Sequence, residues 1–296
     1  MKSYKNTKLR AIILVLVYAV STTYWYILTL HGLKTSSANY WYQVFLAIIP
    51  LLGALFGFVN SAHWGGLKSQ LGRAIFFLSA GLAAWGLGQC YWSYATIRQI
   101  SQIPYPSWAD VGYVTALPFW IAGMLALTSA AGARFSFKKH TTSLGKLLAS
   151  ILAALVVVGG SALVIVGASG GIDLHHGSIS KHLVDLAYPT GDVIIITIAV
   201  VSLTLLRNYL GGRYKAAIMI IIVGFILMYV TDSSFAYVIN NNTYFNGHLV
   251  DFLFSTVMAI LSWGIVHLAP PTGYKKAPPM GVSLGLGSPE QPLSEG

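Results

Sequence analysis

The chain has 296 residues, of which 55% are hydrophobic and only 9% charged, with a formal net charge of +10. Soluble domains carry roughly 25% charged residues, so this composition excludes a water-soluble globule, which would lack the polar shell to enclose its apolar surface. Nor does the positive charge mark a nucleic-acid binder: the basic residues lie between the apolar runs or at their ends, where they meet anionic lipid headgroups.

In chain order, apolar runs occupy residues 9–30, 40–60, 73–94, 111–131, 147–167, 183–206, 216–237 and 248–268. Each has about the 20 residues that carry a helix across a ~30 Å hydrocarbon core. Helices are required because lipid offers backbone groups no partner. The expected fold is therefore an all-α, polytopic bundle of eight transmembrane helices. With the amino terminus inside, all the basic residues except Lys34, Arg98 and Lys181 fall on the cytoplasmic side. That bias predicts cytoplasmic termini at both ends, in a bacterial inner membrane. The first run is too long, and lacks a small-residue cleavage site, to be a removable signal peptide. The outer ends carry Tyr24-Trp25-Tyr26, Tyr40-Trp41-Tyr42, Tyr91-Trp92 with Tyr94, and Trp108, a pattern expected of interfacial anchors. The single Cys90 excludes an intrachain disulfide.

Two of the runs repeat each other. Gly81 matches Gly224, Gln89 matches Asp232, Trp92 matches Phe235 and Tyr94 matches Tyr237. Each of these two runs leads through a short connector into another that opens with an aspartate, Asp110 or Asp251. The basic connector 133–146 divides the chain into a first four-span unit, 1–132, and a second, 147–268. Even-numbered units share an orientation, so the repeat is parallel, with its functional site expected between the halves. Residues 269–296, rich in Pro, Gly and Ser, are expected to form a disordered cytoplasmic tail.

No span interior supplies a lysine or arginine, yet carboxylates enter the spans. Asp232 lies roughly 9 Å and Asp192 roughly 14 Å inside the outer ends of their helices, at 1.5 Å per residue. Asp110, Asp185 and Asp251 sit near the outer boundary. A central Asp costs at least about 2.5–3.5 kcal/mol on insertion scales, so such groups face a bundle interior or a wet cavity. They persist there protonated, bonded to neutral donors, or paired with a bound cation. Asp185 and Asp192 share a helix face with Tyr188 and Pro189, and Pro189 removes an amide donor. Candidate neutral partners are Tyr188, Gln89, Tyr237, Thr231, Ser233 and Ser234. The ligand-binding set is thus Asp110, Asp192, Asp232, Asp251, Asp185, Tyr188, Gln89 and Tyr237, in an outward-facing pocket. The alternative is that these polar groups bind only one another, as interhelical glue.

The outer connectors carry His31, His175, His176, His182 and His248, a rim without metal-ligand spacing. Phosphate-loop, zinc-protease, nucleophile-elbow and dinucleotide motifs are absent from the sequence. The last span has no lysine for a retinal Schiff base. No catalytic cluster or cofactor is read from the residues, and the expectation is a protein that is not an enzyme.

Three segments carry a resemblance: Pro104-Tyr105-Pro106-Ser107-Trp108-Ala109-Asp110-Val111-Gly112-Tyr113, Asp185-Leu186-Ala187-Tyr188-Pro189-Thr190-Gly191-Asp192, and Thr231-Asp232-Ser233-Ser234-Phe235-Ala236-Tyr237. Over about residues 71–268 the chain resembles the multi-span amino-terminal sensor regions of bacterial GGDEF/EAL cyclases and phosphodiesterases, and of some membrane histidine kinases. The resemblance implies a membrane-embedded sensory or ligand-binding module. No output domain follows, so signalling is expected through a separate partner protein, with homo-oligomerisation compatible with such a module. An ion- or proton-coupled transporter is the alternative, given the repeat and the unpaired intramembrane acids.

Overall fold

The computed structural model describes residues 2–34, 36–99, 105–130, 179–206 and 214–271. They form α1 (Lys2–Leu30), α2 (Ser37–His63), a 3-10 turn (Gly66–Lys68), α3 (Gln70–Ile97), α4 (Trp108–Ala130), α5 (Ile179–Leu206), α6 (Lys215–Asn240) and α7 (Leu249–His267), with no strand among the described residues. All but α5 are long and apolar enough to cross a membrane, and α5 carries a shorter apolar stretch, Ala187–Leu203. The architecture is that of an all-helical, multi-pass membrane protein. The expected fifth run and the basic connector before it lie outside the described residues, as does the expected tail beyond Pro271.

Helix ends follow local chemistry. Ser36 and Ser69 cap α2 and α3, accepting the amides of Ala38 and Gly72 at 3.2 and 2.9 Å, which satisfies donors that a helix start leaves orphaned. The start of α1 at Lys2, well before its apolar run, reflects a leading segment with no helix breaker. At the C-terminal ends of α1, α3 and α6 the chain turns through left-handed residues, Gly32, Gln99 and Asn242. In α1 the amides of Gly32 and Leu33 reach the carbonyls of Thr29 and Leu28; in α6 those of Asn242 and Thr243 reach Ile239 and Val238. Both are Schellman closures, which return the last carbonyls to hydrogen bonding.

Helices α2, α3, α4, α5, α6 and α7 pack as a ring in that order, with α7 closing on α2; α1 lies outside against α2 and α7. The closest seam joins α3 to α4, where a side chain at Gly112 would strike the backbone of Gly88. Such small residues let membrane helices approach closely. Trp120 of α4 fills the centre, against Gly81 of α3 and 5.6 Å from the ring of Phe225 on α6. In the other helix pair, Gly224 of α6 meets Leu261 of α7. The lipid-facing surface includes Leu9, Ile12, Leu16 and Val20 of α1.

The aromatic residues expected as interfacial anchors divide in two. Tyr26, Trp41, Tyr94 and Trp108 are exposed, as anchors require. Tyr42 is instead fully buried and bonded to Ser255 at 3.2 Å. The anchor reading is corrected there: one residue turns the helix by about 100°, which takes Tyr42 from the lipid side to the core.

Candidate functional site

The starts of α4 and α7 are built alike. Ser107 caps α4, its hydroxyl accepting the Ala109 amide at 3.2 Å, while Asp110 reaches back to the Ser107 amide at 2.6 Å and hydroxyl at 2.9 Å. His248 caps α7, its Nδ1 accepting the Val250 amide at 3.2 Å, while Asp251 reaches back to the Gly247 amide at 2.7 Å. Each is a variant of the capping box, with an acidic side chain against a helix N-terminus.

Asp251 anchors a chain of side-chain hydrogen bonds through four helices. Tyr113 Oη (α4) donates to Gln89 Oε1 (α3) at 2.5 Å, Gln89 Nε2 donates to Gln43 Oε1 (α2) at 2.8 Å, and Gln43 Nε2 donates to Asp251 Oδ2 (α7) at 2.7 Å. Tyr244 adds a bond to Asp251 Oδ1 at 3.2 Å. Burial, followed by the charge of Asp251, pushes the Tyr244 phenol well above its ordinary pKa, so it stays a donor. The connector bearing Tyr244 is tied across this end of the bundle: Trp25 donates to Gly247 O at 3.0 Å and Trp92 to Asn246 Oδ1 at 3.3 Å. Asp110 is similarly occupied, with its Oδ1 accepting the Tyr188 hydroxyl of α5 at 2.8 Å.

Asp192 and Asp232 differ from these two. They are electrostatic neighbours across the α5–α6 contact, with Tyr229 also near Asp192. Asp192 is only 9% exposed, and Asp232 is partly buried. Neither accepts a hydrogen bond from the described residues. The expected hydroxyl partners are committed elsewhere: Thr231, Ser233 and Ser234 donate to their own helix, at the carbonyls of Leu227, Tyr229 and Val230. Residues 108–130, 182–206, 216–240 and 249–267 include no lysine or arginine.

The structure therefore sorts the expected set. Asp110 and Tyr188 meet; Gln89 and Asp251 belong to one chain; Asp192 and Asp232 form a pair. Asp185 lies on α5, but its side chain is outside the described ones, as is that of His182. Tyr237 points away and is 62% exposed. Of the histidine rim, His175 and His176 lie outside the described residues, His31 is exposed and His248 serves as a cap. Among the described residues no group of three or more His, Cys, Asp or Glu gathers as a metal site. Gln43, Tyr113, Tyr244 and Ser107 were not anticipated as site residues. Gln43 had one sequence signal: with Asn60 at the far end, it is one of two side-chain amides in an otherwise apolar run. A groove of about 340 Å³ between α4 and α5 is lined by Leu117, Pro118, Ala187 and Ile194 among others, with no carboxylate in its wall. No protein-family model matches the chain, and neither does any curated protein or solved structure.

Proposed function

We propose that this protein is a bacterial inner-membrane sensory or ligand-binding module that takes a positively charged ligand at Asp192 and Asp232 and signals through a separate partner. One observation carries the reading: two neighbouring carboxylates within the membrane helices accept no hydrogen bond from the described residues, whereas Asp110 and Asp251 are supplied with two or more donors each. Isolated ionised groups are costly in a low dielectric, so a partner that brings positive charge is the natural complement.

The parallel repeat forms part of the proposal. Gly81 and Gly224 each receive a bulky side chain from the following helix, Trp120 and Leu261. Gln99 and Asn242 both take the left-handed conformation, and Ser107 and His248 both cap. With both termini in the cytoplasm, the acidic pair lies in the outer half and is reached from outside. A transporter would need a route from that pair to the inner face. There Asn60 donates to the carbonyls of Ile265 and Val266, and Trp64 to that of Leu268, which favours sensing.

The test is thermal unfolding of the purified chain with a panel of inorganic and organic cations, in wild type and Asp192→Asn. Cation-dependent stabilisation that the variant loses supports the reading. The same response in both proteins rejects it.

A further inference from the structure

Helices α4 and α7 start with the same box, but only one of the two caps can take up a proton. Ser107 caps α4 with a hydroxyl that does not titrate. His248 caps α7 with its Nδ1, 3.2 Å from the Val250 amide nitrogen. That amide nitrogen carries a hydrogen and cannot accept, so Nδ1 presents a lone pair and the neutral ring keeps its own hydrogen on Nε2. Histidine stands outside the usual cap set of Ser, Thr, Asp and Asn. At this position it makes the cap depend on protonation.

A proton added to the ring disturbs three interactions, all in one direction. Imidazolium has two N–H donors and no acceptor, so the Val250 amide loses its partner. Val250 is 3% exposed, which leaves water little access to replace it. The new charge stands at the positive end of the α7 dipole. It also meets Lys34 from the connector between α1 and α2: partial burial, and then the Lys34 charge, hold the His248 pKa below its ordinary value. From the connector before α7, the rings of Phe245 and Tyr244 lie 5.2 and 6.5 Å away, and the Tyr244 phenol stays neutral in acid. Asp251, one turn along α7, has its oxygens engaged by Gln43, Gly247 and Tyr244.

We propose that His248 is a pH-sensitive latch, whose protonation unfastens the start of α7 together with the connector 241–247. That connector is tied to α1 through Trp25 and Gly247 and to α3 through Trp92 and Asn246, so the release loosens the tie across this end of the bundle. The fold favours the neutral ring. The latch is therefore complete above the ordinary histidine value of about 6.5 and weakens as the pH falls toward the lower value in the folded state. The Ser107 cap of α4 stays closed over the same range.

The experiment uses the full chain purified in detergent. Hydrogen–deuterium exchange is followed from about pH 8 to about pH 5 in peptides covering 244–252 and 105–112, each corrected for the chemical exchange rate at that pH. Expected is about fivefold faster exchange at the start of α7 in acid, the size of a lost N-cap, with the start of α4 unchanged. His248→Asn, a good cap without a titrating ring, abolishes the acid response, and His248→Ala exchanges fast at every pH. An α7 start in wild type that is unchanged across the range overturns the latch without any variant having to fold. Equal acceleration at both helix starts also overturns it, since a general loosening in acid then accounts for the result. So does an acid response that survives in His248→Asn.

Discussion

At the scale of single residues, donor supply separates structural acids from the proposed binding pair. Gln43 is the test of the first class. Gln43→Leu strips a 2.7 Å donor from Asp251 and takes from the Gln89 amide its 2.8 Å acceptor, leaving only the long contact of 3.5 Å to the backbone carbonyl of residue 43. Unsatisfied buried groups cost about 1–3 kcal/mol each, so a clear fall in melting temperature is expected. Tyr113→Phe leaves one buried acceptor, Gln89 Oε1, without its donor, against two groups for Gln43→Leu, and should cost about half as much. A smaller effect from Gln43→Leu than from Tyr113→Phe would contradict the chain of bonds. Tyr244 adds a pH dependence. Its phenol is raised in the folded state by burial and by Asp251, so its contribution is complete below about pH 10, the ordinary phenol value, and is lost as the pH rises further. Tyr244→Phe should flatten that alkaline limb of a melting-temperature profile.

The aspartates could be singled out in the sequence because charge within apolar runs is conspicuous. Their division could not be read there. It depends on which helix faces Asp251 and on a connector that folds back over it, and neither follows from spacing. Tyr237 shows the same limit. Its match with Tyr94 in the repeat is mirrored by similar exposure, 62% and 58%, but five residues beyond Asp232 turn a helix by about 140°. The tyrosine is carried off the face that Asp232 occupies.

At the scale of helices, apolar length located six described helices able to span a membrane. The expected 248–268 is matched by α7 at Leu249–His267 and 40–60 falls within α2, while the expected 147–167 lies outside the described residues. Which faces pack together is decided by small residues. Gly112→Ala should force α3 and α4 apart, because the new carbon meets the Gly88 backbone, which cannot rotate away; overpacking of this kind costs about 1–3 kcal/mol. The end of α3 gives the opposite sign. Gln99 has a φ of 50°, a conformation costing roughly 1–2 kcal/mol for an L-residue. Gln99→Gly should therefore stabilise the protein by about 1 kcal/mol, less the added freedom of the unfolded chain. An unchanged or lower melting temperature would count against this closure of α3.

At the scale of the whole molecule, orientation is the first measurable quantity. Lys68 and Asn241 lie at opposite ends of the bundle. In a Cys90→Ser background, an impermeant thiol reagent should label a cysteine placed at Asn241 in intact cells and spare one at Lys68. The reverse pattern would invert the topology and place the acidic pair in the inner half.

The joints of the ring are fastened unequally. Side-chain hydrogen bonds join α2 to α3, α3 to α4, α4 to α5 through both Tyr188–Asp110 and Thr128–Ser202, and α7 to α2. Tyr214, at the foot of α6, donates to the Ala269 carbonyl just beyond α7. At the α5–α6 joint the facing polar groups are two carboxylates. In the proposed function the molecule works as a split ring, with its gap at the two carboxylates. A cation in that gap would act as a rivet, and its departure would loosen the joint along the circumference. The ring would then convert occupancy into a change of girth, which a neighbouring protein in the bilayer would register as a change of fit along its flank.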